Sequence, residues 1–114
     1  MTREFVLMPA FETEWKSMEL TDDDIFILQD ILLENPLIGK VIVGTGGLRK
    51  MRFALEGRGK RSGARVLYID FAVYEKIFLI YAYPKSEKDN ISKAERNQFH
   101  QLINQIAKNL GRKN

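Results

Sequence analysis

Three consecutive segments in the middle of the chain have the residue pattern of β-strands. They are residues 48–55, 64–71 and 76–83, in which apolar and polar residues alternate or form a short apolar run. Because successive side chains of a strand point to opposite faces, Lys50 and Arg52 are expected to project from the same face. Only residues 72–75 separate the second segment from the third, which predicts an antiparallel hairpin.

Helical patterns lie on both sides of these strands. Residues 22–34 follow a capping Thr21, precede Pro36 and repeat apolar residues at helical spacing: Ile25, Leu28, Ile31 and Leu32. A capping box at residues 92–95 begins a terminal helix that we expect to end before Gly111. A short strand at residues 5–8 and a helical turn around residues 13–18, with Trp15 packing inward, are expected to come first.

The element order therefore reads β, α, β, β, β, α, which predicts a small α+β protein. We expect one domain over residues 1–114, with helices packed on a mainly antiparallel sheet of about four strands and a helix at the C-terminus. A chain of this length can bury a core without the support of a metal or a disulfide.

Composition excludes several kinds of site. The chain has no cysteine and a single histidine, so disulfides, thiolate nucleophiles and cysteine-based zinc sites are excluded, and we expect neither a metal nor a cofactor. No apolar stretch approaches the roughly 20 residues that a membrane-spanning helix needs. The first residues lack the pattern of a secretory signal, so we expect a cytoplasmic protein without a membrane partner.

Charge is distributed unevenly along the chain. Residues 40–65 contain eight basic residues and one acid, Glu56, whereas the first 35 residues contain nine acids and only two bases. Seven of the eight glycines fall within residues 39–63. A run of charge is most often a solvated surface, but the near exclusion of acids and the placement on two adjacent strands favour a phosphate-binding surface.

Common catalytic motifs do not fit this basic segment. A phosphate-binding P-loop fails because Arg61 follows Lys60 and because position 54 is alanine. The glycines of residues 44–47 lead into a strand, unlike those of a dinucleotide-binding fingerprint. We interpret the acids of residues 22–24 as a helix start and do not assign a catalytic role to His100, which lies beside the apolar stripe of the last helix.

A family resemblance is carried by three stretches, namely residues 44–53, residues 57–68 and residues 83–87. Their sequences, GTGGLRKMRF, GRGKRSGARVLY and YPKSE, resemble the core of the RelE and HigB superfamily of toxins from bacterial toxin–antitoxin systems. The specific part is the spacing from Arg49 and Lys50 through the glycine-rich loop to Arg65. Together with the flanking helices, the resemblance covers most of the chain.

The resemblance implies a RelE-like fold and a ribosome-dependent endoribonuclease that cleaves mRNA in the A site and so inhibits translation. It also implies a cognate antitoxin, often a helix-turn-helix protein, with operator DNA contacted only through that antitoxin. Cleavage is expected without a metal, through attack of a ribose 2′-hydroxyl on the adjacent phosphate. The expected products are a 2′,3′-cyclic phosphate or 3′-phosphate and a 5′-hydroxyl.

Residue roles follow from the same resemblance. Lys50 is the candidate base, Arg52 and Arg65 are expected to stabilise the phosphate charge, and Lys85 is the candidate acid, with Tyr83 or Tyr68 as poorer substitutes. Lys88 is the less favoured alternative to Lys85, and no tyrosine follows it where some relatives have one. Contacts with RNA and the ribosome are expected from Lys40, Arg49, Arg58, Lys60, Arg61 and Lys88.

Two other functions are compatible with the same charges. One is a non-catalytic member of the family that binds RNA or regulates transcription together with its partner. The other is an enzyme acting on a small anionic metabolite, which is disfavoured because a cofactor fingerprint, a metal cluster and a recognisable nucleophile are all missing from the sequence.

Overall fold

The computed structural model describes residues 2–54, 63–88 and 90–112. These residues form three α-helices and five β-strands: β1 (Glu4–Leu7), α1 (Pro9–Ser17), α2 (Asp22–Glu34), β2 (Lys40–Val41), β3 (Arg49–Phe53), β4 (Ala64–Phe71), β5 (Lys76–Pro84) and α3 (Lys93–Arg112). A short 3-10 turn, Ala72–Tyr74, joins β4 to β5.

The strands form one sheet in the order β1-β5-β4-β3-β2. β1 is parallel to β5 and every other neighbouring pair is antiparallel. The predicted α+β class, the mainly antiparallel sheet and the C-terminal helix are confirmed, and the sheet gains β2 as a fifth strand. Two predicted helix boundaries were wrong, since α1 begins at Pro9, a residue well suited to the first turn, and α3 continues through Gly111 to Arg112. The limits of β1, β3 and β5 differ from the predicted ranges by one or two residues.

Helices cover both faces of the sheet. On one face α1 and α2 bury side chains that include Phe11, Trp15, Leu28 and Leu32 against Met51, Phe53, Val66 and Leu79. On the other face α3 packs Ile103, Ile106 and Leu110 against Leu67, Ile69, Phe78 and Ile80. Because β3 turns Met51 and Phe53 toward α1 and α2, the intervening Lys50 and Arg52 face the side of α3, as the alternation predicts.

A β-bulge in β5 changes which side chains share the α3 side of the sheet. Leu67 pairs with Tyr81 and Tyr68 pairs with Leu79, so Ile80 is an extra residue on β5. Without that residue, Tyr83 would lie on the same face as Leu79. With it, Tyr83 lies opposite Arg65 and joins the core beneath α3.

Both predicted helix caps are present. The Thr21 hydroxyl accepts from the Asp24 N–H at 3.2 Å while the Asp24 carboxylate accepts from the Thr21 N–H at 2.8 Å, which completes a capping box at α2. Ser92 and Glu95 make the same reciprocal pair at α3. The acids of residues 22–24 are therefore explained by the start of a helix, as predicted.

Tyr68 fixes the segment that leads into β2. Its buried hydroxyl donates to the Pro36 carbonyl at 2.7 Å and accepts from the Gly39 N–H at 2.9 Å. A Cβ atom at Gly39 would lie 2.8 Å from Tyr68 Cε1 and 3.0 Å from the Lys50 carbonyl oxygen, closer than a side chain tolerates. Glycine at this position therefore lets the chain pass over Tyr68 and places Lys40 beside β3.

A glycine-rich turn connects β2 to β3 and so closes the hairpin that these two antiparallel strands form. Thr45 is buried, and its hydroxyl donates to the Ile42 carbonyl and accepts from the Leu48 N–H. Gly46 has a φ of +78°, and a Cβ there would meet the imidazole of His100 at 3.0 Å. The turn thus needs glycine both for its left-handed backbone and for its contact with α3.

Candidate functional site

An open cavity of about 750 Å³ lies on the α3 side of the sheet. Its described lining consists of Ile38, Lys40, Lys50, Met51, Arg52, Arg65 and Asn90. Four of these residues are cationic and none is acidic. The cavity therefore has the charge and the size of a binding site for a phosphate-containing ligand.

The strand register brings the four cations together as two like-charge pairs. Lys40 lies directly opposite Lys50, and Arg52 lies directly opposite Arg65. Like charges that face each other across neighbouring strands destabilise a sheet. An anionic ligand bound between the pairs would offset the repulsion.

Arg65 is the most enclosed of the four cations, with only 8% of its surface exposed. Within the described part of the chain it has no hydrogen-bond or ion-pair partner, and none of its nitrogens is both fully buried and unsatisfied. The guanidinium group must therefore meet solvent through the cavity. A fixed arginine in that position is suited to bind a phosphate with two parallel hydrogen bonds.

Asn90 joins the site from the loop that precedes α3. Its side-chain oxygen accepts a hydrogen bond from the Lys50 ammonium group at 2.9 Å. This contact orients Lys50 within the cavity. Asn90 was not identified from the sequence, because a single polar residue in a loop has no periodicity, and its only signal was its closeness in sequence to Lys85 and Lys88.

Lys88 is held beside the aromatic residues of β5. Its ammonium group donates to Glu95 at 2.5 Å and lies 5.3 Å from the ring centre of Tyr83 and 6.0 Å from that of Tyr81. Lys85 is exposed just beyond β5, and its N–H donates to the Gly63 carbonyl at 3.0 Å. Neither lysine is among the described residues that line the cavity.

Several other residues that were predicted for the site are not among the described residues that line the cavity. Arg49 faces away from the cavity and donates to the carbonyls of Leu37 and Gly39 at 3.3 and 2.7 Å, which gives it a structural role. Tyr68 also faces away, with its hydroxyl satisfied on both sides. Its proposed role as a substitute acid is therefore not supported by its position. Arg58, Lys60 and Arg61 lie outside the described residues.

A comparison with models of protein families identifies the family of this chain. The family model described as the RelE toxin of the RelE/RelB toxin–antitoxin system matches residues 11–113. The chain belongs to the RelE toxin family. Family membership agrees with the resemblance seen in the sequence and, for a RelE toxin, implies a cognate antitoxin as partner.

A solved structure supports the RelE fold independently. The structure of an E. coli RelE toxin, an arginine-to-alanine double mutant in the free state, is similar with a TM-score of 0.54. The similarity covers 78% of this chain and 90% of that one, at 18% sequence identity. At this identity the match concerns the fold, so the roles of individual residues in this RelE toxin must come from its own geometry.

The described ranges hold neither a metal-binding cluster nor a membrane-spanning helix. Residues 2–54, 63–88 and 90–112 contain no group of three or more His, Asp or Glu side chains that could hold a metal ion. Within the same ranges, no helix combines the length and apolar character needed to cross a membrane.

The hydrogen bond between Lys88 and Glu95 makes part of the folding stability depend on pH. The hydrogen bond from Lys88 holds the pKa of Glu95 below its usual 4.5. The same bond raises the pKa of Lys88 above its usual 10.5. The contribution of Glu95 to stability is therefore present above pH 4.5 and is lost as the pH falls through its depressed pKa.

We expect Glu95→Gln to lower the free energy of unfolding at pH 7 by less than about 1 kcal/mol, because the pair is partly exposed. Glutamine can still cap Ser92, so the variant isolates the charge. Urea unfolding at a series of pH values from 7 downward tests this, and the difference from wild type should shrink as the pH falls through the depressed pKa of Glu95. A difference that stays constant over the whole series would show that packing, not charge, is responsible.

Proposed function

We propose that this RelE toxin is a ribosome-dependent endoribonuclease that inhibits translation by cleaving mRNA in the A site. The observation that carries the proposal is the pairing of Lys40 with Lys50 and of Arg52 with Arg65 around a cavity whose described lining is free of acids. Such a site is suited to bind the phosphate that links two nucleotides and to stabilise the additional negative charge that develops during cleavage.

Lys50 is the proposed base for the first step. It would take the proton from the ribose 2′-hydroxyl as that oxygen attacks the adjacent phosphorus, and its hydrogen bond to Asn90 would help to orient it. Arg52 and Arg65 would bind the phosphate oxygens of the crowded intermediate. As guanidinium groups stay charged at all relevant pH values, they can stabilise the intermediate without exchanging protons.

The leaving 5′-oxygen needs a proton, for which we propose Lys85. Tyr83 lies opposite Arg65, and the backbone of Lys85 is bonded to Gly63 just beyond that pair. This places Lys85 about two residues along the sheet from Arg65, a distance that a lysine side chain can cover. The products would be a 2′,3′-cyclic phosphate or 3′-phosphate and a 5′-hydroxyl end, formed without a metal.

Other basic residues are proposed to hold the toxin on the ribosome. Arg58, Lys60, Arg61 and Lys88 would contact the RNA of the ribosome, with Lys40 at the mouth of the cavity. The antitoxin is proposed to be a helix-turn-helix protein that also carries the contacts with operator DNA. We further propose that the toxin acts in the cytoplasm as a single domain over residues 1–114.

Induction of the toxin in growing cells, followed by mapping of mRNA 5′ ends, tests the proposal. We expect growth arrest together with new 5′-hydroxyl ends at fixed positions within codons. The same ends should form when purified toxin is added to ribosomes carrying mRNA, and not with mRNA alone. Growth arrest without new RNA ends would contradict cleavage and favour a toxin that only binds RNA.

A further inference from the structure

The loop that carries Asn90 is held on both sides of that residue. Ile91, the next residue, is buried in the core beneath α3. Lys88, two positions before Asn90, is bound by Glu95 of α3. Because contacts fix the chain both before and after Asn90, its side chain is kept at the cavity, where it accepts the hydrogen bond from Lys50.

Glu95 joins this loop to the start of α3. Its Oε1 atom accepts from the Ser92 N–H at 2.8 Å, and its Oε2 atom accepts from the Lys88 ammonium group at 2.5 Å. The first contact is part of the helix cap, for which a glutamine would serve equally well. The second contact uses the charge of the carboxylate and ties the loop to the helix.

Lys88 in turn lies against two tyrosines of β5. Its ammonium group is 5.3 Å from the ring centre of Tyr83 and 6.0 Å from that of Tyr81, within the range of a cation–π interaction. Tyr83 is fully buried and lies directly opposite Arg65 of the cavity. Lys88 therefore connects α3 to the part of the sheet that borders the site.

We propose that Lys88 and Glu95 are positioning residues for the base of the reaction. Their ion pair closes the loop of residues 88–92 over β5 and so keeps Asn90 bonded to Lys50. This rests on the proposed function, in which Lys50 takes the proton from the ribose 2′-hydroxyl. Because a displacement of about 1 Å in a reacting group can slow catalysis strongly, a contact outside the cavity can limit the rate.

Four variants separate the ion pair from its surroundings. Lys88→Met keeps a long apolar side chain on the tyrosines but cannot donate to Glu95. Glu95→Gln retains an oxygen for Ser92 and then has only N–H groups to offer Lys88. Lys88→Arg can still donate to Glu95 and lie over Tyr83, so it should restore function. Lys93→Met, the matched control, makes the same change at an exposed lysine in the first turn of α3.

The first measurement is the rate of cleavage as a function of the concentration of ribosomes carrying mRNA. We expect Lys88→Met and Glu95→Gln each to lower kcat about tenfold, and Glu95→Gln to leave KM unchanged. Lys88→Arg and Lys93→Met should cleave like wild type. A change confined to KM would show that Lys88 only contacts RNA, and it would overturn the proposal, as would a wild-type kcat in both variants.

A double-mutant cycle tests whether the ion pair acts through Asn90. Asn90→Ala should itself lower kcat about tenfold, since it removes the bond to Lys50. If Lys88 acts only by holding Asn90, adding Lys88→Met to Asn90→Ala should cause no further loss. A double variant that is slower by the product of the two single losses would contradict the proposal.

A further measurement needs neither RNA nor activity. In NMR spectra of the free toxin, Lys50→Met should define the side-chain amide signals of Asn90 without its bond. The Lys88→Met variant should move these signals toward the same positions, whereas Lys93→Met should not. Unmoved signals in Lys88→Met would refute the positioning role. A wild-type toxin that fails to cleave mRNA would contradict only the proposed function, so the two failures are distinguishable.

Discussion

An Arg65→Ala toxin should lose mRNA cleavage by about 10²–10³-fold, the cost expected when one fixed donor to a developing negative charge is removed. Arg65 is the most enclosed cation of the cavity and is held on β4 directly opposite Arg52. The rate of appearance of new 5′ ends on ribosome-bound mRNA measures the loss.

Two companion variants identify the cause of that loss. Arg65→Lys keeps the positive charge but loses the planar fork that binds two oxygens at once, so its rate should fall between those of wild type and Arg65→Ala. Arg112→Ala removes an exposed arginine near the end of α3 and should cleave like wild type. Equal rates in wild type and Arg65→Ala would contradict the assigned site.

Folding should survive the loss of Arg65. Because the described structure gives this side chain no partner and places a like charge opposite it, its removal relieves repulsion and breaks no described bond. Circular dichroism and urea unfolding should therefore match those of wild type. An unfolded Arg65→Ala protein would show that the guanidinium group has a structural role. In that case the cleavage rate of Arg65→Lys would be used to test the catalytic role.

Local patterns were enough to predict most of the fold. α2 was predicted at its observed bounds because Thr21 caps it and Pro36 follows it. β2 was missed because a strand of two residues is too short to show alternation, and it forms only where Tyr68 holds Gly39 against the sheet. The bulge at Ile80 could not be predicted either, since it depends on the pairing of two strands.

The site was predictable only in part, because the contacts between its elements depend on how those elements pair and not on a local sequence pattern. Alternation within one strand placed Lys50 and Arg52 on a common face. That Arg65 lies opposite Arg52 depends on register, which a single strand does not encode. Asn90 reaches Lys50 across 40 positions of sequence, and no local pattern could reveal that contact.

Tyr68→Phe should have the largest effect on stability among these variants while leaving the chemistry intact. The lost hydroxyl would leave the Pro36 carbonyl and the Gly39 N–H buried without a partner, and each such group costs about 1–3 kcal/mol. We expect the free energy of unfolding to fall by about 2–4 kcal/mol in urea titration. Tyr74→Phe, which removes a hydroxyl in the turn after β4, is the matched control.

The same variant separates a structural tyrosine from a catalytic one. Burial raises the pKa of Tyr68, and its proton is already donated to Pro36 on the face opposite the cavity. Cleavage per folded molecule, measured at low temperature where the variant remains native, should therefore equal that of wild type. A large loss of cleavage with normal stability would instead make Tyr68 the proton donor. If the rate is retained, Lys85 is left as the acid to test by substitution.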